Sequence, residues 1–346
     1  MTVIHIIIGF GGGGMENFVL HLSKRYVQRN IKTIAVAITP QYTWQKEFEQ
    51  AGISCVNLKI NSFASLLSGF RQLYQLVKQT PDAFIHAHGF HALMLGIMLR
   101  LCRPKLPMVF TLHNNFIKKP YRRFILFFTR MFRKADIIFS EDAKAWYHKS
   151  RSVVIANGVD TDRYQLQKNP AAVFTFLFVG RLEEAKNPLF LVDLAKELKN
   201  KGNFKIAVAG TGSLLSSLNN KIQEFKLQDC FEYLGYRKDM PELLAQSHCV
   251  IMPSLWEGMP IIILEAAAAG IPIISTPVGS IPTILNSQNS NLGSLQDFPR
   301  MMNDVLHNYG LAQQKAEKLQ QLVQQKFSIE ASARKHLELY YKFYNN

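Results

Sequence analysis

Glu257-Gly-Met-Pro-Ile-Ile-Ile-Leu-Glu265, continued by Ala-Ala-Ala-Ala-Gly270-Ile-Pro272, reads as a helix between two short apolar runs, Cys249–Met252 and Ile273–Ser275. Pro260 suits the first helical position, where its missing N–H costs nothing. Leu264 to Ala269 are strong helix formers, Gly270 can take the left-handed stop, and Pro272 prevents continuation. A strand, a helix and a second strand in such quick succession make a crossover unit, which parallel sheets require. Glu257 falls on the loop entering the helix, beside free backbone N–H groups, and Glu265 lies more than a turn inside. A helix N-terminus attracts phosphates, and carboxylates accept hydrogen bonds from hydroxyls. The pair suits a ligand with both, such as a nucleotide sugar; the spacing alone fits two surface charges equally well.

The same alternation extends in both directions. In the first half, runs at residues 3–8, 33–38, 83–86, 107–111, 137–140 and 153–155 read as strands. A second set starts at Phe174–Val179 and continues at 205–209, 231–233, Cys249–Met252 and Ile273–Ser275. Helical patterns lie between them, for example at 17–29 and 188–200, so the fold class is α/β with parallel sheets. At 346 residues the chain exceeds the comfortable size of one core. We divide it into 1–165, 166–327 and a terminal helix at 328–346 that returns to the first domain. The polar, aperiodic stretch 163–170 is the expected linker.

Composition narrows the function classes. No apolar run reaches a membrane span; the longest candidate, 251–274, is broken by Trp256-Glu257-Gly258, Glu265 and three prolines. Residues 3–8 read as a buried strand and not as a signal peptide. Cys55, Cys102, Cys230 and Cys249 show neither metal nor disulfide spacing. A cytoplasmic protein fits.

The net charge of +15 is uneven: residues 1–165 hold 22 Lys and Arg against 9 Asp and Glu, the remainder 18 against 16. The excess peaks at 118–134, where Lys118, Lys119, Arg122, Arg123, Arg130, Arg133 and Lys134 have no acidic neighbour, and Phe124, Phe127, Phe128 and Met131 recur at helical spacing. A basic amphipathic helix of this kind suits an anionic membrane surface. The plain alternative is a buried apolar stripe with a solvated basic face. Nucleic acid is not expected as a partner, since no helix-turn-helix, zinc-finger or aromatic RNA-binding signature accompanies the charge.

Three motifs mislead. Gly9-Phe10-Gly11-Gly12-Gly13-Gly14 fits a dinucleotide loop, but the second strand ends at Ile38-Thr39-Pro40 without the acidic residue that holds a ribose. Those glycines still permit close backbone approach to a diphosphate or acceptor. Asp160-Thr-Asp162 imitates a metal-binding D-x-D in what a turn explains sufficiently. His86, His88 and His91 imitate a metal cluster across a strand end and a turn, with no carboxylate or cysteine nearby.

Taken together, the motifs resemble the retaining GT-B glycosyltransferases often called family 4. The carriers are residues 8–16 as a first glycine loop; Phe84-Ile85-His86-Ala87-His88 and Phe110-Thr111-Leu112-His113 as strand-end histidine sites; and Asn157-Gly158-Val159-Asp160. Val179-Gly180-Arg181-Leu182 with Lys186, Ala209-Gly210-Thr211-Gly212, Leu234-Gly235-Tyr236 and Glu257…Glu265 complete the series. The pattern departs after Val278-Gly279-Ser280-Ile281-Pro282, where the family commonly has a glutamate and this chain has Thr283 and a shortened segment.

The resemblance implies two Rossmann-like domains facing each other across a cleft, with the donor held mainly by the second. Arg181 and Lys186 would clamp the donor diphosphate, and Glu265 would accept hydrogen bonds from the ribose. Glu257 with the Gly258 and Met259 amides would hold the transferred sugar, and His113 would sit near it. Gly12, Gly13, Gly180, Gly210 and Tyr236 complete the implied donor site. The family retains anomeric configuration without a metal or cofactor, so the implied partners are a nucleotide sugar and a glycan or lipid-linked acceptor. On the basic amphipathic pattern of 118–134, rather than on the resemblance, Lys118, Lys119, Arg122, Arg123, Arg130 and Arg133 would face the acceptor and the inner surface of the membrane. A nucleotide-sugar epimerase or hydrolase, and a non-catalytic sugar-nucleotide-binding scaffold, are the rival readings.

Overall fold

In the computed structural model the described residues are 1–345 apart from 114–116, 118 and 151. They form two compact units, Met1–Gly158 with Ile329–Asn346, and Val159–Ser328. The first carries β1 (Thr2–Ile7), β2 (Thr33–Ala37), β3 (Ser54–Asn57), β4 (Ala83–His88), β5 (Met108–Thr111), β6 (Ala135–Ile138) and β7 (Ser152–Val154). The second carries β8 (Phe174–Val179), β9 (Phe204–Ala209), β10 (Phe231–Gly235), β11 (Cys249–Met252), β12 (Ile273–Ser275) and β13 (Asn291–Leu292). Every pairing is parallel, in the orders β3-β2-β1-β4-β5-β6-β7 and β10-β9-β8-β11-β12-β13. β1, β2 and β4 are buried on both faces, the reason their sequences are near-continuous apolar runs.

Strand order reverses between β1 and β4 in one sheet and between β8 and β11 in the other. At such a switch point the chain leaves neighbouring strands in opposite directions, and a crevice opens beyond their C-terminal ends. The glycine loop follows β1. Gly180–Lys186 follow β8, and Ser254–Pro260 follow β11. The fold thus sets the conspicuous motifs at the ends where doubly wound sheets bind ligands.

β3 and β13 escape the sequence reading. Ser-Cys-Val-Asn at an edge offers one branched apolar residue in four, and β13 has only two residues. β4 also continues to His88, so His86 and His88 share one face of a strand and do not straddle its end. The Ile261–Ala268 helix starts one residue later than its composition suggests, with extended Pro260 as its cap. Gly270 ends it with φ +64°, and seven of its eight residues are buried, as befits a helix apolar on all sides.

The Ile329–Tyr344 helix belongs to the first unit and lies against the Gly14–Val27 helix. Arg25 and Arg29 pair with Glu330, and Ser332 Oγ donates to the Ala156 carbonyl at 3.0 Å. Thr161–Tyr164 forms a 3₁₀ turn with Tyr164 buried in the second unit, so the polar stretch from residue 163 begins inside that unit. No helix among the described residues is long and apolar enough to cross a membrane.

Candidate active site

In the second unit the ends of β8, β9 and β10 are laced together by backbone hydrogen bonds, with Tyr233 Oη adding one to the Gly210 carbonyl at 3.1 Å. Gly180 N–H donates to the Ala209 carbonyl at 3.0 Å, and Gly210 N–H to the Gly235 carbonyl at 2.7 Å. Gly210 has φ +147°, and a β-carbon on it would stand 1.9 Å from the Gly180 carbonyl oxygen. No side chain fits there. The stem of Lys186 packs over Gly180, so the glycines shape the floor beneath the lysine.

The loop after β11 comes to meet it. Leu255 N–H donates to the Ala185 carbonyl at 2.8 Å. Lys186 Nζ lies 2.6 Å from Glu257 Oε1, and Ser254 Oγ donates to that same oxygen at 2.8 Å. Gly279, at φ +60°, holds this loop from behind: a β-carbon there would stand 2.4 Å from the Glu257 carbonyl oxygen, and Ser280 N–H donates to the Gly258 carbonyl at 2.9 Å. Met259 is buried beneath. Ser254, Gly279 and Ser280 therefore position the site, although only the last two lie in a stretch whose motif was visible in sequence.

Glu265 is 5% exposed, and Tyr164 donates its phenolic proton to Glu265 Oε1 at 2.7 Å. Burial, and then the carboxylate itself, push the Tyr164 phenol far above its ordinary pKa, so it stays a donor. Sequence reasoning missed Tyr164 because it stands at the edge of a polar stretch that reads as linker. Arg181 is not brought to Lys186. Its side chain is 72% exposed and pairs with Glu183 at 3.0 Å, a surface contact of the kind worth about 0–1 kcal/mol. Tyr236 is also exposed.

In the first unit Gly13 caps the Gly14–Val27 helix, and a β-carbon on it would crowd Glu16 Oε2 at 2.8 Å. Gly12 takes φ +84°, which favours glycine. Behind this loop stand His5, His86, His88 and His113. Burial drives all four pKa values down, to about 3 for His5 and for His113. Ring nitrogens of His5, His86 and His88 lie within 4.8 Å of one another. They are joined by hydrogen bonds to each other and to hydroxyls, with His86 bound to both Tyr340 and Thr111. His91 stays apart and exposed on the Phe90–Cys102 helix.

Two family profiles divide nearly the whole chain between them. The one described as Glycosyltransferase Family 4 matches residues 12–163, and Glycosyl transferases group 1 matches residues 161–326. The chain belongs to this glycosyltransferase family. It is 27% identical over 282 residues to the Escherichia coli UDP-Gal:alpha-D-GlcNAc-diphosphoundecaprenol alpha-1,3-galactosyltransferase, covering 73% of this chain and 72% of that one. It is 27% identical over 246 residues to the lipopolysaccharide core biosynthesis mannosyltransferase LpsB of Rhizobium meliloti, covering 65% and 68%. The crystal structure of Anabaena HepE in complex with UDP and glucose superposes with a TM-score of 0.85 at 19% identity, covering 98% of this chain and 99% of that one. The fold is GT-B.

The basic segment of this glycosyltransferase differs from the sequence expectation. It is a short helix, Pro120–Phe128, followed by a 3₁₀ turn, Thr129–Phe132. Lys118 lies outside the described residues. Lys119 is exposed, whereas Arg122 sits half-buried over the Phe90 ring, Arg123 donates to the Ile117 carbonyl at 2.8 Å, and Arg130 covers Phe127. Arg133 does not face outward at all. It is 1% exposed, with Nε 2.8 Å from Asp136 Oδ1 and a bond to the Leu126 carbonyl. Burial forces that pairing, because an unpaired guanidinium there would be far too costly. Phe127 packs against the core, and the other apolar side chains turn outward: Phe124, Phe128 at 71% and Met131 at 75% are exposed, with Trp146 beside Phe124 at 5.3 Å between ring centres.

Proposed function

We propose that this protein is a retaining, metal-independent glycosyltransferase moving a sugar from a nucleotide-sugar donor to a glycan or lipid-linked acceptor in cell-envelope polysaccharide or lipopolysaccharide synthesis. The observation that carries the reading is the Lys186–Glu257 pair on the switch-point loops of the second sheet, with buried Glu265 on the helix that follows. The relatives add direction: one is a galactosyltransferase of a diphosphoundecaprenol-linked sugar, another a lipopolysaccharide mannosyltransferase, and a protein of the same fold holds UDP and glucose.

In this reading Glu265 takes the ribose hydroxyls, with Tyr164 holding its other side. Lys186 meets the diphosphate, and Arg181, free to leave its surface contact with Glu183, swings to join it. Glu257 and the Gly258 and Met259 amides hold the transferred sugar. The acceptor hydroxyl attacks the anomeric carbon from the face that the diphosphate leaves. The carbon–oxygen bond to the diphosphate breaks, and the acceptor proton passes to the departing phosphate oxygen. Charge grows on the leaving group during this step, so a fixed cation stabilises the transition state more than the ground state. No side chain needs to act as the base.

The exposed Phe124, Phe128, Met131 and Trp146, with Lys119 nearby, suit an anionic membrane surface on the cytoplasmic side, where a lipid-linked acceptor would be met. The test is calorimetry with UDP-, GDP- and ADP-linked hexoses, with Glu265→Ala alongside. Selective binding of one donor, lost in the variant, supports the reading. A folded protein that binds none of them speaks against it.

A further inference from the structure

Parallel pairing sets His5 beside His86 in register, and His88 follows on the same face two residues later. His5 Nδ1 lies 2.9 Å from His88 Nε2, and His88 Nδ1 lies 2.8 Å from His113 Nε2. Three imidazoles thus form a chain from β1 through β4 to the residue pair after β5. His5 and His88 are fully buried, and His113 is half-buried. The chain does not branch at His86, whose nitrogens are taken by Tyr340 Oη at 2.6 Å and Thr111 Oγ1 at 2.8 Å.

Burial keeps all three rings neutral at ordinary pH, so each carries one N–H and one lone pair. Every nitrogen–nitrogen contact needs one of each. Fixing one ring therefore fixes the next, and the chain runs in a single direction. In one direction His113 donates to His88 and His88 to His5, which strands an N–H on His5 Nε2. That atom is buried and has no hydrogen-bond partner among the described residues. Orphaned buried N–H groups are rare, and an unsatisfied donor costs about 1–3 kcal/mol. In the other direction His5 donates to His88 and His88 to His113, and only a lone pair is left at the buried end.

We propose that His5 and His88 are positioning residues that hold His113 as its Nδ1–H tautomer, so that this imidazole offers the transferred sugar a hydrogen-bond donor and not a basic lone pair. The proposal rests on the glycosyltransferase reading above together with the family resemblance, which implies that His113 sits near the transferred sugar. It gives two residues without access to a substrate a defined part in the reaction. It also fits a mechanism with no dedicated side-chain base.

The test is nitrogen-15 NMR of the histidine-labelled full chain, using long-range proton–nitrogen correlations that separate protonated from unprotonated ring nitrogens. The expected spectrum has Nδ1 protonated on His113 and His88 and no population of the reverse tautomer. His5→Phe and His88→Phe should give His113 a mixture of tautomers. His88→Asn, whose amide keeps a donor near the Nδ1 position, should restore the Nδ1–H form. With UDP-galactose or UDP-glucose as donor, His5→Phe should lower kcat tenfold or more with KM within twofold. An Nε2–H tautomer of His113 in the unsubstituted protein overturns the proposal, and so does a tautomer unchanged in both Phe variants. The unsubstituted spectrum decides alone if those variants do not fold. Because it needs no ligand, a failure to turn over any nucleotide sugar would count against the enzyme reading and leave the tautomer result separate.

Discussion

Lys186 Nζ and Glu257 Oε1 lie 2.6 Å apart and join the loop after β8 to the loop after β11. Both side chains are largely buried, so neither can be removed without leaving the other's charge poorly matched. Lys186→Ala should lower kcat by about 10²–10³, the range found when one electrostatic contact to a developing charge is removed. Glu257→Gln keeps the shape, loses the pair, and should weaken transfer less. The double variant should fall short of the summed single effects, since the two residues share one contact. Steady-state kinetics of the four proteins checks this; strict additivity would show that the pair does not act as a unit.

Tyr164 and Glu265 make the second such relationship, 2.7 Å apart between a turn and a helix. Tyr164→Phe removes the donor and keeps the ring. Loss of one hydrogen bond to a buried charged group should cost about 1–3 kcal/mol of stability. Nucleotide affinity should fall several-fold as Glu265 loses its fixed orientation, whereas Glu265→Ala should abolish it. Denaturant titration and UDP calorimetry measure the two effects. Unchanged affinity in Tyr164→Phe would show that Glu265 is held by its other contacts.

The alternation of apolar runs made the α/β class legible, because strands buried on both faces must be apolar along their length. β11 and β12 could be bounded to the residue for the same reason. The Ser54–Asn57 strand was not legible: none of its four residues is fully buried, so an edge strand of this kind needs few apolar residues. Glu257 and Glu265 stood out through their spacing about a helix start. Tyr164 did not, since only the folded chain brings residue 164 to residue 265. Arg133 shows the opposite failure. A cationic residue in a basic run reads as solvated, and the Asp136 carboxylate three residues on, with the Leu126 carbonyl, makes its burial tolerable.

Acid should loosen the first unit, and neutral pH should leave it intact. His5 and His113 are pushed down to about 3 and His336 to about 4, all by burial, with His86 and His88 also well below 6.5. The groups packed around them, Tyr26, Tyr340 and Thr111, are neutral at these pH values. The folded state therefore binds fewer protons than the unfolded chain between pH 6.5 and about 3. Their full contribution is present above 6.5 and is lost as pH falls through that window. Each such histidine adds a slope of about 1.4 kcal/mol per pH unit. Urea melts at pH 7.5, 6.5, 5.5 and 4.5 should show stability dropping with a slope of more than one proton. A flat profile would mean that the stack opens to water.

Two neighbouring parts of the 118–134 segment should respond in opposite ways to substitution. Phe128 and Met131 are exposed, so Phe128→Asp with Met131→Asp should leave the melting temperature within a few degrees. If they enter a bilayer, burying two such side chains contributes about 3–6 kcal/mol at 1.5–3 each, and the double variant should lose at least a hundredfold in partitioning to anionic vesicles. Trp146, ringed by Phe124 and Phe127, gives a fluorescence signal that should shift to the blue on binding. Arg133→Ala, by contrast, strands Asp136 in the core and should cost about 3–5 kcal/mol of stability. Its effect on partitioning should be small in whatever fraction stays folded. Vesicle co-sedimentation of the three proteins, with thermal melts of each, separates the two roles. Undiminished partitioning of the double variant would rule out the apolar wedge.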